Sequence, residues 1–160
     1  MNLRPATDGD SEAIVAIVAE AYAGYPGCIL LVDEEEPELR RPGSVHAAPG
    51  GWWVVEQEGR IVASVALCVE TAMLKKLYVL REARGQGLGA KLTGYVEDLA
   101  KRAGLAELRL WTDTRFVEAH RLYERLGWYR QPMTRALADA SETTEFEYRK
   151  RLLVGGCLSR

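Results

Sequence analysis

The chain has few of the residues that build metal sites or cross membranes. Its 160 residues include three cysteines and two histidines, and none of them forms a CxxC or CxxH pair. A structural zinc site needs about four clustered ligands of these types, so we expect no bound metal. No run of the sequence approaches the roughly 18 consecutive apolar residues of a membrane span. The sequence therefore predicts neither a metalloprotein nor a membrane protein.

A secreted protein is not indicated either. The N-terminus, MNLRPATDGD, does not resemble a signal peptide. Together with the low cysteine content, this favours a reduced protein of the cytoplasm. The length suits one domain, which we expect to cover residues 1–154, with residues 155–160 as a frayed tail.

Neither sign of charge is in large excess, since 21 basic and 23 acidic side chains give a net charge of −2. This argues against a nucleic-acid or membrane-surface binder, whose affinity would require surplus Lys and Arg. The charges are nevertheless segregated: residues 33–38 carry five acids and no base, whereas residues 75–84 carry four bases and one acid. Two interpretations stay open, namely solvated faces or a bipolar site for one anionic and one cationic ligand.

Hydrophobic periodicity predicts alternating strands and helices. Apolar residues recur at helical spacing from Ile14 to Tyr22, and the Val- and Ile-rich segments on either side of Gly59 are typical of a β-hairpin. A strand, a helix and a strand in the middle of the chain form one βαβ crossover, so we expect an α/β layered fold with a mixed sheet. Strands are predicted at residues 2–6, 52–56, 61–69, 75–79, 108–112 and 143–152, and helices around residues 14–22, 87–102 and 116–126.

Residues 23–51 show no clear period, apart from a short helical turn expected at residues 37–41. A connection of this length inside a compact domain is usually functional, for example a lid or a binding loop. The alternative is a surface insertion that the fold tolerates. The sequence does not distinguish between the two.

A glycine-rich turn, REARGQGLGAK at residues 81–91, separates a predicted strand from a predicted helix. Glycine lets the backbone approach a ligand without a Cβ in the way, and the first N–H groups of a helix attract anions. Arg84 adds a positive charge. Three glycines in five residues are costly for a turn that only enters a helix, because Gly costs about 1 kcal/mol relative to Ala inside it. The turn therefore predicts a phosphate-binding loop.

Two classes of nucleotide ligand compete for this loop. Residues 85–90 match the dinucleotide fingerprint G-x-G-x-x-[GA], and Asp113 follows after the next predicted strand. In that fingerprint, however, the first glycine directly follows a buried strand, whereas residues 81–84 intervene here. The chain is also too short for the second half of such a fold and a substrate domain. A nicotinamide or flavin site is the less favoured interpretation.

The residues around the turn resemble the GNAT superfamily of acetyl-CoA-dependent N-acetyltransferases. Arg84, Gly87 and Gly89 meet its core pattern [RQ]-x-x-G-x-[GA]. Residues 119–128, AHRLYERLGW, are similar to its second motif, A-x-x-x-Y-x-x-x-G-[FWY], and the opening LRPAT-x-x-D is typical of its first strand and helix. The resemblance covers nearly the whole chain.

The resemblance implies a mixed, mostly antiparallel sheet of six to seven strands flanked by helices, with the crossover carrying a pyrophosphate-binding turn. It implies acetyl-CoA as co-substrate, in a cleft where the strand ending at Val79 separates from the strand at residues 108–112. The implied activity is acetyl transfer to a primary amine of a small molecule or peptide by direct attack. The alternative is a non-catalytic acyl-CoA-binding regulatory module. The residues expected to contact acetyl-CoA are Leu77, Tyr78, Val79, Arg84, Gly85, Gln86, Gly87, Leu88, Gly89, Ala90 and Tyr123.

Three residues are candidates for the chemistry. The backbone N–H of Val79 would polarise the thioester carbonyl. Tyr123, with a reference pKa of about 10 against about 8.5 for a thiol, would protonate the departing thiolate, although helical periodicity alone favours a core position for it. Glu70, which follows a predicted strand, is the candidate general base, and a solvated turn acid is its alternative.

The resemblance places the amine near the first helix and the loop after it, where the candidates are Tyr22, Tyr25 and Glu35. Where the family often has an Asn that contacts the cofactor, this sequence has Phe116, so we expect that contact to be lost or supplied by Thr112 or Arg115. The amine itself is not predicted. We expect a monomer or a homodimer, in which the strand with Phe146 and Tyr148 could pair across the interface.

Overall fold

A computed structural model describes residues 2–153 and shows a seven-stranded sheet with helices on both faces. The strands are β1 Asn2–Pro5, β2 Gly51–Gln57, β3 Arg60–Cys68, β4 Met73–Val79, β5 Glu107–Asp113, β6 Tyr129–Ala136 and β7 Thr144–Arg151. The helices are α1 Ser11–Ala23, α2 Val32–Glu35, α3 Leu88–Arg102 and α4 Val117–Arg125, with short 3₁₀ turns at Asp8–Asp10, Pro37–Arg40 and Arg81–Ala83. The tail expected at residues 155–160 lies outside the described residues.

The strands lie in the order β1-β2-β3-β4-β5-β7-β6, and β4 and β5 are the parallel pair of the described sheet. The expected mixed, mostly antiparallel sheet is thereby confirmed. The β2–β3 hairpin turns at Glu58 and Gly59, whose φ angles of 52° and 74° suit a two-residue turn that follows the strand twist. Strand β4 reaches β5 through α3, because a parallel pair requires a crossover.

Both faces of the central strands are buried, which explains the nearly continuous apolar runs of β2 and β3. Successive side chains of a strand point to opposite faces. Trp53 accordingly joins the buried cluster that contains Leu92 of α3, and Trp52 joins the cluster that contains Ile14 of α1. None of the helices within residues 2–153 is long and apolar enough to cross a membrane.

The connection between α1 and β2 is anchored to the rest of the protein. Leu39 is fully buried, and its carbonyl accepts a hydrogen bond of 2.7 Å from the hydroxyl of Ser11. The helical turn expected at residues 37–41 is confirmed as a 3₁₀ turn, and α2 was not predicted. The connection is therefore packed against the helix that precedes it.

Two expectations near the C-terminus are wrong. Residues 129–136 form strand β6, where no strand was predicted. It is an edge strand with nearly all its side chains exposed, so its sequence carries no apolar period. Strand β7, which carries Phe146 and Tyr148, lies between β5 and β6 and is hydrogen-bonded along both edges. It therefore has no free edge with which to pair across a dimer.

Candidate active site

Two cavities meet between β4 and β5. These strands pair only at Met73 and Arg109 and then separate, which confirms the predicted opening. The cavity beside the glycine-rich turn, called the turn cavity, has a volume of about 470 Å³. The cavity beside the acidic segment at residues 33–38, called the loop cavity, has a volume of about 380 Å³. The two cavities adjoin at the residues that line both of them, a region called the passage; these residues are Leu77, Tyr78, Phe116, Ala119 and Tyr123.

The glycine-rich turn forms one wall of the turn cavity. Gly85 and Gly87 have φ angles of 81° and 76°, and a Cβ at either position would meet no atom within 4 Å. The backbone conformation therefore requires glycine at these two positions. At Gly89 the requirement is packing, since a Cβ would lie 2.9 Å from Cδ2 of Leu122. Helix α3 begins directly after Gly87, so its first N–H groups are available to an anion.

Most residues expected to contact the co-substrate line the turn cavity, namely Leu77, Tyr78, Val79, Arg84, Gly85, Gly87, Leu88, Gly89, Ala90 and Tyr123. Gln86 does not, because its amide oxygen accepts a hydrogen bond of 2.9 Å from Gln57 on the β2–β3 hairpin. Tyr25, expected on the amine side, lines the turn cavity instead. Arg125 of α4 was missed, and it adds a second guanidinium to this cavity.

The backbone of β4 presents a free edge to the gap. The N–H of Leu80 donates a hydrogen bond of 2.8 Å to the carbonyl of Val62 on β3. Because successive residues of a strand point their N–H and C=O groups to alternate sides, those of Val79 point away from β3. In agreement, the carbonyl of Val79 accepts a hydrogen bond of 3.2 Å from Nε of Arg84. The N–H of Val79 is therefore directed into the gap beside the turn cavity.

Lys76 interrupts β4 with a bulge that the sequence did not predict. Its φ angle is 55°, and the register with β3 shifts between Ser64 and Ala66. The bulge directs Nζ toward the acidic segment, where it lies 2.8 Å from Oε1 of Glu36 and 2.8 Å from Oε1 of Glu38. Burial acts to lower the pKa of Lys76, but the acidic groups around it raise the pKa above its ordinary value. The two ion pairs of Lys76, with Glu36 and Glu38, thus join the acidic segment to β4.

Tyr123 lies in the passage with its ring almost completely buried. Its side chain packs beside Trp128 and Tyr148, at ring-centroid distances of 5.9 and 5.7 Å. Burial, reinforced by Tyr78, raises the pKa of Tyr123 above its ordinary value. Tyr123 therefore has the core position that periodicity favoured, and it also lines both cavities. Its hydroxyl remains protonated at neutral pH.

The loop cavity has more acidic than basic side chains in its walls. The acids are Glu35, Glu36, Glu38, Asp113, Asp139 and Glu145, and the bases are Lys75, Lys76 and Arg135. Several of these carboxylates have partners within the protein; for example, Glu145 forms a salt bridge of 2.8 Å with Arg135. Glu35, one of the predicted residues, accepts a hydrogen bond of 2.8 Å from the backbone N–H of Ala140. A ligand of this cavity therefore meets more carboxylates than cationic groups in its lining.

Of the remaining predicted residues, Tyr22 belongs to the site and Glu70 does not. Tyr22 lines the loop cavity and donates a hydrogen bond of 2.8 Å to Oε2 of Glu36. Glu70 is exposed in the turn between β3 and β4, at the end of β4 opposite Val79. At about 3.3 Å per residue, the length of β4 separates these two ends by roughly 20 Å. Glu70 lines neither cavity, so its assignment as general base is wrong.

Phe116 is held at the N-terminus of α4, with its ring 4.9 Å from that of Tyr25. Neither residue proposed to replace the missing Asn reaches the turn cavity. Thr112 lines only the loop cavity. Arg115 is engaged elsewhere, donating a hydrogen bond of 2.6 Å to the carbonyl of Ser141. Neither Thr112 nor Arg115 therefore lines the cavity beside the glycine-rich turn.

Residues 15–128 match the family model of the acetyltransferase (GNAT) family. The chain belongs to the GNAT acetyltransferase family. It is 31% identical over 137 residues to the uncharacterized N-acetyltransferase YjgM of Escherichia coli K12, covering 79% of this chain and 80% of the relative. It is 32% identical over 130 residues to the mycothiol acetyltransferase of Beutenbergia cavernae, covering 76% of this chain and 42% of that protein.

The fold agrees with this family. A GNAT acetyltransferase of Staphylococcus aureus Mu50 superposes with a TM-score of 0.78 at 19% identity, covering 94% of this chain and 98% of the other. The chain is therefore an acetyl-CoA-dependent acyltransferase with the GNAT fold.

Proposed function

We propose that the chain transfers the acetyl group of acetyl-CoA to a primary amine by direct attack, with Tyr123 protonating the departing thiolate. The observation that carries this proposal is the position of Tyr123 in the passage where the turn cavity and the loop cavity meet. A group there contacts a thioester that enters from one side and an amine that enters from the other.

The turn cavity is suited to the phosphorylated end of acetyl-CoA. The N–H groups at the start of α3 and the guanidiniums of Arg84 and Arg125 provide donors for a pyrophosphate. The free edge of β4 at Leu77 and Val79 provides backbone groups with which an amide-bearing arm can pair as an added strand. The N–H of Val79 then stabilises the charge that develops on the thioester oxygen.

Tyr123 holds the proton that the thiolate needs. Its raised pKa keeps the hydroxyl protonated at neutral pH. The same desolvation raises the pKa of a thiolate bound beside it, because burial disfavours the charged form of either group. Because both pKa values shift in the same direction, the burial of Tyr123 does not by itself disfavour the proton transfer.

No covalent intermediate on the protein is required. Cys28 is the cysteine that lines the loop cavity within residues 2–153, and burial beside Asp113 raises the pKa of its thiol. A protonated thiol is a poor nucleophile. Direct attack by the amine is accordingly the simpler route.

Water in the loop cavity is the proposed acceptor of the amine proton. Glu36 and Glu38 are bound to Lys76, and Lys76 lowers the pKa of Glu38 despite the opposing effect of burial. A carboxylate stabilised in this way is a weak base. Neither of these residues is proposed to take the proton directly.

The charge of the loop cavity favours an amine without a negative group. Six acidic and three basic side chains line this cavity, so a second positive charge on the acceptor is stabilised and a phosphonate or carboxylate is repelled. We therefore expect spermidine or putrescine to be a better acceptor than 2-aminoethylphosphonate. The reverse preference would contradict this assignment of substrate class.

Two measurements test the proposal. Thermal unfolding with acetyl-CoA at 100 times its Kd should show about 2.7 kcal/mol of added stability, and NADH should show none. Tyr123→Phe should lower kcat by about 10²- to 10⁴-fold in a thiol-release assay while acetyl-CoA binding is kept. Tyr148→Phe is the matched control, because Tyr148 is buried beside Tyr123 and lines neither cavity. Equal loss in both variants, or no loss in Tyr123→Phe, would refute the assigned role.

A further inference from the structure

Among the residues of the passage, Phe116 is a large apolar side chain that the proposed chemistry does not use. Tyr123 is the proposed proton donor, and Leu77 and Tyr78 belong to β4. Ala119 on α4 has only a methyl group. The remaining wall is the ring of Phe116, which faces both the turn cavity and the loop cavity.

The ring of Phe116 is held in position from several sides. Its backbone N–H donates a hydrogen bond of 3.0 Å to the carbonyl of Asp113. Its ring contacts those of Tyr25 and Tyr22, with centroid distances of 4.9 and 6.1 Å. Tyr22 is itself fixed through its hydrogen bond to Glu36. A side chain restrained by backbone and aromatic contacts is a rigid boundary rather than an adaptable one.

We propose that Phe116 sets the width of the passage and thereby restricts the acyl group that the protein accepts to the size of acetyl. The inference rests on the proposed function, which locates the thioester in the passage. The methyl group of acetyl then lies between Phe116, Ala119 and the edge of β4. A longer acyl chain must pass the ring of Phe116 before it reaches the loop cavity.

The test is the binding of acetyl-, propionyl- and butyryl-CoA, measured by isothermal titration calorimetry without an amine. Phe116→Ala should raise affinity for the longer acyl groups relative to acetyl by about fourfold per methylene, which corresponds to about 0.8 kcal/mol. The butyryl-to-acetyl ratio should therefore rise about sixteenfold. Phe116→Leu should give an intermediate change. Phe146→Ala is the matched control, since Phe146 is the second of the two phenylalanines and lines neither cavity.

Each outcome decides the inference. A graded rise in Phe116→Leu and Phe116→Ala, with no change in Phe146→Ala, supports it. A butyryl-to-acetyl ratio within about twofold of wild type in Phe116→Ala, or an equal rise in Phe146→Ala, overturns it. If circular dichroism shows Phe116→Ala unfolded, Phe116→Leu decides by the same criterion. A wild-type protein that binds acyl-CoA but releases no thiol with any amine contradicts the proposed function, and the binding ratios still test Phe116.

Discussion

Replacing Lys76 by Met removes the cation that joins the acidic segment to β4. The side chain of Lys76 is 11% exposed, and its Nζ bridges Glu36 and Glu38 at 2.8 Å each. Met has a similar length and no charge. The substitution therefore leaves two partly buried carboxylates close to each other without the group that compensates them.

The expected cost follows from the burial of the three groups. Removing one partner of a buried ion pair costs about 3–5 kcal/mol, because the remaining charge stays uncompensated. Glu36 and Glu38 are 17% and 25% exposed, so water reaches them and the lower end of that range applies. With an unfolding entropy of roughly 2.1 cal/mol/K per residue, a loss of about 3 kcal/mol lowers the Tm of a chain of this size by about 9 °C.

The pH dependence identifies the cause of the loss. Lys76 holds the pKa of Glu38 below its ordinary value of 4.5, so Glu38 contributes stability above that pH. The contribution disappears as the pH falls through the lower, folded pKa. In Lys76→Met the contribution is absent and the carboxylates protonate more readily. The difference in stability between wild type and variant should therefore narrow as the pH falls below 4.5.

Thermal unfolding of the wild type and three variants tests this reasoning. Lys75→Met is the matched control, because Lys75 is half-buried and forms no salt bridge within residues 2–153. We expect it to change stability by less than about 0.5 kcal/mol. Adding Glu36→Gln and Glu38→Gln to Lys76→Met should restore stability, since no charge then remains uncompensated. The reasoning is refuted by a fall in Tm of less than about 3 °C, by a difference that widens in acid, or by a triple variant no more stable than Lys76→Met.

Three further predictions concern the turn and the tyrosines. Gly87→Glu should weaken acetyl-CoA binding by at least about tenfold, because the added carboxylate repels the phosphates. Gly59→Glu is the matched control, since Gly59 has a φ of 74° against 76° at Gly87 and its Cβ position is equally open. The control should cost similar folding stability and leave binding unchanged. Calorimetry that finds equal binding in both contradicts the phosphate-binding role. Tyr148→Phe removes a buried hydroxyl that has no partner within residues 2–153, so urea unfolding should show about 1–3 kcal/mol of added stability, and a loss would contradict this. The pKa of Tyr123 is raised above 10, so kcat should decline only as the pH rises through that raised value. A decline in kcat that depends on Tyr123 and is centred below pH 10 would argue against Tyr123 as the proton donor.

The elements that bury a face could be predicted from the sequence, and those that do not bury one could not. Helix α3 and the β2–β3 hairpin repeat their apolar residues with the period of their backbone, because one or both faces pack in the core. Strand β6 lacks such a pattern, since it lies at the sheet edge with its side chains in water. Its conformation comes from pairing with β7, a contact that local sequence does not encode.

By itself the sequence determined the glycine-rich turn. Its chemistry resides in contiguous residues, 84–90, where the φ angles of glycine and the N–H groups of the helix start are local properties. Only the tertiary structure decided which residues come together around the loop cavity. Lys76 meets Glu36 because a bulge in β4 faces an anchored loop, whereas Glu70 lies in the turn before β4, at the end opposite Val79. The physical reason is that strand register and loop packing, rather than separation along the chain, set which distant side chains meet.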